Sequence, residues 1–197
     1  ALQMQLGSIN HRSNTFRDIY QHTDTQLRQL LQLPKSHSIF FASSATEIWE
    51  KLLLHGVEKK SFHCVNGSFS KRFYEFAQYV QKQPIAYTVN DGQGIDIDKL
   101  SIPANTELIC TTQNETSTGA FMRSEDLTIL KQRYPNSLLC SDLVSIAPYS
   151  KIDYTHLDAS FFSVQKAFGM PPGLGVWIVN QAFIEKAKEV KSKGYPV

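Results

Sequence analysis

Apolar residues first recur at helical spacing at Phe16, Ile19, Tyr20, Leu27, Leu30 and Leu31. Ser13 is placed to cap that pattern and Pro34 to end it, so the spacing predicts a helix over residues 13 to about 33. From Ser38 onward the period changes. Short apolar runs suited to buried strands, at 38–42, 61–65, 84–89, 108–112 and 137–140, are separated by polar turns and helical patterns. Ser43-Ser44-Ala45 opens one helix, carried by Thr46, Ile48, Trp49, Leu52 and Leu53. A second follows Asn66-Gly67-Ser68 through Phe73, Phe76 and Val80, and a third lies near 125–132. Residues 90–94 read as a loop, as does the polar stretch to Gly119.

Alternation of this kind predicts an α/β fold, a three-layer α-β-α domain with a mostly parallel sheet. One strand is expected to run the other way. The strand ending near Val164 and the apolar run 174–180 are joined by about nine helix-free residues, whereas a parallel crossover needs about a dozen or more. If these strands pair directly, they pair antiparallel. With no internal repeat and no low-complexity linker, residues 1–197 read as one domain.

Composition narrows the partners. With 42% hydrophobic and 19% charged residues and a net charge of +2, the chain has the balance of an ordinary globular domain, and no nucleic-acid partner is expected. The densest basic cluster, 186–193, reads as the solvated face of a terminal helix. No apolar run is long enough to span a bilayer, and the first residues lack the basic-then-apolar order of a signal peptide, so a cytoplasmic protein with no membrane partner is the expectation. Cys64, Cys110 and Cys140 sit in strand-like surroundings without metal-ligand spacing; they read as core thiols of a reducing compartment, and no metal is expected.

In a wound sheet, ligands gather at the carboxyl ends of the parallel strands. Polar loops follow strands at 43–46, 66–69 and 113–118 and in the turn from Gln165, and Asp142 directly follows a fifth strand. Ser44, Ala45 and Thr46 place backbone N–H groups and hydroxyls at a helix start, either a plain cap or an anion site. Phe69 is a core ring or a cover for a planar ligand, and Thr116 a turn residue or a hydroxyl donor. Asp142 is an acid that is costly to bury without a cation or donor. Lys166 is carried out of an apolar run to the end of its strand, before a turn rich in Gly and Pro. It either snorkels to solvent or presents a partly desolvated amine able to condense with an aldehyde. Taken together, these are the parts that pyridoxal phosphate requires. No G-x-G-x-x-G or P-loop suggests a nucleotide instead.

The segment Ser163-Val164-Gln165-Lys166-Ala167-Phe168-Gly169-Met170-Pro171-Pro172-Gly173 resembles the cofactor-lysine segment of class V, fold type I pyridoxal-phosphate aminotransferases. Asn66-Gly67-Ser68-Phe69-Ser70-Lys71-Arg72, Glu115-Thr116-Ser117-Thr118-Gly119 and Ser141-Asp142 resemble that family's other signatures, in the same order. Within the family the chain is most similar to the phosphoserine and alanine-glyoxylate aminotransferase branch. The resemblance implies the large domain of a fold type I transferase with pyridoxal 5'-phosphate as cofactor. It further implies that Lys166 bonds the cofactor's aldehyde, Asp142 pairs with the pyridine nitrogen and Phe69 stacks on the ring. Thr116 then meets the ring hydroxyl side, and Ser44, Ala45, Thr46 and Gln165 hold the phosphate.

For the substrate, Ile9-Asn10-His11-Arg12-Ser13 resembles the His-Arg segment with which phosphoserine aminotransferases reach a distal anion, which gives His11 and Arg12 a substrate role; the plain alternative is that they decorate the start of a helix. The reaction implied is phosphoserine plus 2-oxoglutarate to 3-phosphohydroxypyruvate plus glutamate. Thr46 stands where that branch tends to carry arginine, which leaves an alanine-glyoxylate type of transamination open. Phe69 and Gln165 stand where cysteine desulfurases carry histidines, which disfavours that branch. The family also implies a homodimer, and a Pro-Gly-Pro lead and a smaller carboxyl-terminal domain that this stretch lacks, with turnover expected to need the latter. A non-enzymatic alternative is the effector-sensing module that the same fold forms in some transcription regulators.

Overall fold

A computed structural model describes residues 9–192. The amino-terminal residues and the end of the basic cluster at Lys193 lie outside the described residues. The chain divides into two compact units, residues 1–34 and 35–197.

The first unit is built on helix α1, Asn14–Leu31. Ser13 caps it as expected, its hydroxyl accepting from Phe16 N–H at 3.1 Å. Gln32 closes it in the left-handed conformation, and Leu33 N–H reaches back to Arg28 C=O at 3.0 Å. Phe16, Ile19, Tyr20 and Leu30 are exposed, while Leu31 is buried.

The second unit carries the sheet. Its strands are β1 (Ser38–Ala42), β2 (Ser61–Val65), β3 (Ile85–Thr88), β4 (Leu108–Thr112), β7 (Leu138–Asp142), β8 (Ala159–Ser163) and β9 (Gly175–Val179), in the order β1-β9-β8-β7-β4-β2-β3. Between β4 and β7 lies a two-stranded hairpin, β5 (Asn114–Glu115) with β6 (Ala120–Phe121). The helices are α2 (Ala45–Gly56), α3 (Ser68–Tyr79), α4 (Ser124–Arg133) and α5 (Gln181–Ser192). β2, β4, β7, β8 and β9 are buried at every position, which explains why they read as continuous apolar runs and not as alternating ones. The expected antiparallel strand is β9, paired that way with both β8 (Phe161 opposite Trp177) and β1 (Phe40 opposite Trp177). All other pairs in this sheet are parallel.

On one face, Ile48, Trp49, Leu52 and Leu53 of α2, Phe73 and Ala77 of α3 and Phe183 of α5 close over Leu108, Cys110, Leu138, Cys140 and Phe161. The chain moves along the sheet in one direction through α2 and α3 and in the other through α4. Right-handed crossovers therefore put α4, with buried Leu127 and Leu130, on the opposite face. The cysteines are free and buried as expected; burial pushes the Cys64 thiol up to about 12.

Three expectations need correction. β7 continues through Ser141 to Asp142, because Asp142 pairs with Thr112 in the ladder; the acid ends the strand and does not follow it. The polar loop before Gly119 contains the β5–β6 hairpin. β8 stops at Ser163, so Lys166 lies in the turn beyond it and is exposed. Among the described residues, no helix is long and apolar enough to cross a membrane.

Candidate active site

Loops from the carboxyl ends of β1, β2, β4, β7 and β8 converge on a cleft of about 650 Å³. It is lined by Ser44, Ala45, Thr46, Phe69, Thr116, Asp142, Gln165 and Lys166, together with Trp49, Arg72, Asn114 and Ser145. The structure thus brings together eight of the ten candidates. The remaining two, His11 and Arg12, belong to the first unit, exposed in the turn before α1, where Arg12 N–H donates to Asn10 Oδ1 at 2.8 Å.

The anion end is built at α2. Ser44 caps the helix by accepting from Glu47 N–H at 3.1 Å, and Glu47 turns its carboxylate back to Ser43, accepting from its N–H and its hydroxyl at 2.7 Å each. Those bonds hold the Glu47 carboxyl down at about 2. Ala45 and Thr46 occupy the first turn, where N–H groups have no intrahelical acceptor, on the wall of the cleft.

Asp142 is the buried acid. Val144 N–H donates to its Oδ1 at 2.8 Å, and among the described residues no lysine or arginine pairs with it. Burial pushes its carboxyl up to about 7 against that hydrogen bond, with the nearby Glu115 adding to the rise. Asp158, buried on the neighbouring strand's approach, differs: Lys131 Nζ at 2.7 Å, Leu139 N–H at 2.7 Å and Asn180 Nδ2 at 2.9 Å all meet it. Asp158 is thus satisfied within the fold, whereas Asp142 has, among the described residues, a backbone donor and no cationic partner.

Lys166 is carried by a turn pinned at both ends. Val164 N–H donates to Leu174 C=O at 3.1 Å, and Met170 N–H returns to Val164 C=O at 3.1 Å. The ring of Phe168 stacks on buried Phe162 at 4.9 Å and 4°. Pro171 and Pro172, lacking N–H donors, end any strand continuation there. The ammonium stands exposed at the mouth, and among the described residues no acid pairs with it.

Phe69, 39% exposed, presents an accessible ring from the first turn of α3. Reading the residues one by one missed Trp49, stacked on Phe73 at 5.2 Å, and Asn114, whose Nδ2 donates to Ser145 Oγ at 2.8 Å. It also missed that Glu115 is buried, a residue visible only as one letter of the Glu115–Gly119 signature.

A family model for class V aminotransferases matches residues 4–197. The crystal structure of a phosphoserine aminotransferase from Cytophaga hutchinsonii superposes with a TM-score of 0.96 at 46% identity, covering 100% of this chain and 54% of that one. An alanine-glyoxylate aminotransferase from Nostoc sp. shares the fold at a TM-score of 0.84 and 21% identity, over 95% of this chain and 52% of its own. The phosphoserine aminotransferase of Rhodococcus opacus is 25% identical over 186 residues, 94% of this chain and 48% of that protein. The chain spans about half the length of the curated relatives it matches. With the family model spanning nearly all of it, this chain belongs to the class V aminotransferase family.

Proposed function

We propose that the cleft binds pyridoxal 5'-phosphate and that the protein transfers an amino group from phosphoserine to 2-oxoglutarate, giving 3-phosphohydroxypyruvate and glutamate. The observation that carries this reading is a buried carboxylate, Asp142, in the same cleft as the amine of Lys166 and the open start of α2, neither side chain meeting an opposite charge among the described residues. The donor set fits the cofactor. A protonated ring nitrogen would relieve the cost of ionising Asp142, and the Ala45 and Thr46 amides with the Ser44, Thr46 and Gln165 side chains suit the phosphate. Phe69 offers a ring to stack and Thr116 a hydroxyl for the ring oxygen. Bound there, the cofactor supplies an aldehyde for amine exchange and an electron sink for charge developing at the substrate's alpha carbon.

Three further roles fall to residues of this chain. Lys166 Nζ would hold the cofactor through its aldehyde, and as a free amine it would move the substrate's alpha proton as general base. Asp142, once paired with the ring nitrogen, would stay ionised and keep the electron sink positive. His11 and Arg12 take the substrate's distal anion, a role the planar guanidinium fork suits. The 46% identity with the Cytophaga phosphoserine aminotransferase supports this substrate over alanine and glyoxylate. We further propose a homodimer, supported by exposed Phe16, Ile19 and Leu30 on α1, and a cytoplasmic location, supported by three free buried cysteines. Amino transfer from glutamate to 3-phosphohydroxypyruvate, compared with transfer from alanine to glyoxylate, tests the assignment. Faster turnover with the phosphorylated acceptor is expected; preference for glyoxylate would move the protein to the other branch.

A further inference from the structure

Glu115 is completely buried at the start of α3, and its carboxylate collects donors from two loops of the cleft. Ser70 N–H and Ser70 Oγ each donate at 2.9 Å, Ser117 Oγ at 2.7 Å, Ser117 N–H at 3.2 Å and Phe69 N–H at 3.4 Å. Ser117 Oγ also accepts from Ser68 N–H at 2.8 Å, so the loop after β4 takes the Ser68, Phe69 and Ser70 N–H groups that open α3. The fit is close: a Cβ on Gly67 would collide with Glu115 Cγ and stand 2.6 Å from Ser117 Oγ. Burial pushes the Glu115 carboxyl up, but the Ser70 and Ser117 donors outweigh it and hold the group below its ordinary value. A buried anion with several donors is a rigid joint.

Two helix starts therefore border the cleft in different states. At α3 the protein supplies its own anion. At α2 the Glu47 carboxylate is turned away to Ser43, leaving the Ala45 and Thr46 amides for a ligand. We propose that Glu115 is a positioning residue: it locks Phe69 and Thr116 into one unit and blocks the start of α3, so that an anionic ligand can dock only at α2. This rests on the proposal that the cleft binds pyridoxal phosphate. Glu115 itself does not line the cleft.

The test is a double-mutant cycle on cofactor affinity. Pyridoxal phosphate is titrated into wild type, Glu115→Gln, Phe69→Leu and the double variant, well below each thermal midpoint, followed by tryptophan fluorescence and visible circular dichroism. Glutamine keeps the size but turns one acceptor into a donor facing hydroxyls and amides. The expected result is about tenfold weaker binding for Glu115→Gln, an altered dichroic band, and little further loss when Phe69→Leu is added. Affinity within twofold of wild type with only a lowered midpoint, or losses that add, would overturn the positioning role. Should Glu115→Gln not fold, Ser117→Ala removes one donor to Glu115 and the acceptor of Ser68 N–H, keeps the carboxylate, and is expected to weaken binding and to couple to Phe69→Leu in the same way; additive or absent effects there overturn the role equally. Failure of wild type itself to bind the cofactor would be a separate result, one that removes the functional reading first.

Discussion

Asp142 shows how a single residue links stability and function. Its folded pKa, about 7, is raised above the ordinary 3.8, so between those values the folded state holds a proton that the unfolded chain has lost. Stability of the cofactor-free protein from this group is therefore full below pH 4 and is lost as pH rises through 7. His63, pushed down to about 3 by burial, works in the opposite sense, costing stability as pH falls below its ordinary 6.5. The difference between Asp142→Asn and wild type isolates the first effect. Without cofactor, the variant is expected to be more stable at pH 8 by about 2–4 kcal/mol, measured by denaturant unfolding, and equal at pH 4. Transamination by the same variant is expected to fall by orders of magnitude, because a neutral amide cannot hold the ring nitrogen positive. Asp142 and Lys166 were legible in the sequence because each is a lone charge at the end of an apolar run. Glu115 was not, since its donors are hydroxyls and backbone N–H groups, those on Ser70 lying 45 residues away, and no side-chain pattern announces them.

At the level of elements, the start of α2 is the most exacting piece of the site. Gly175, first residue of β9, lies against it, and a Cβ there would stand 2.9 Å from Ser44 C and 3.0 Å from Ile48 Cδ1. Gly175→Ala is expected to displace the helix start and weaken pyridoxal phosphate binding more than pyridoxal binding, a comparison made by titrating both; equal loss for the two ligands would refute it. Ser44→Ala removes the cap and is expected to cost about 1 kcal/mol of stability. The five-residue strands were placed within a residue or two by their apolar runs. The β5–β6 hairpin was not, because two-residue strands are too short to show a period. β7 was read short since Ser141 and Asp142 look like loop residues, although their backbone groups complete the ladder with β4.

For the molecule as a whole, connection length sufficed to reverse β9, since so short a link leaves no room for a crossover helix. The full strand order was beyond that argument. It depends on pairings such as Ser38 with Val179, which are remote in sequence. Quaternary structure belongs at this scale too. Replacing Phe16 and Ile19 on α1 with serine is expected to turn a dimer into a monomer in light scattering, while an unchanged mass would assign those rings elsewhere. The central claim, that Lys166 carries pyridoxal phosphate over Asp142, is tested most directly by borohydride reduction of the protein with the cofactor, followed by peptide mass mapping. The account predicts a single phosphopyridoxyl group on Lys166, absent in Lys166→Ala; modification spread over surface lysines, or retained in that variant, would contradict it.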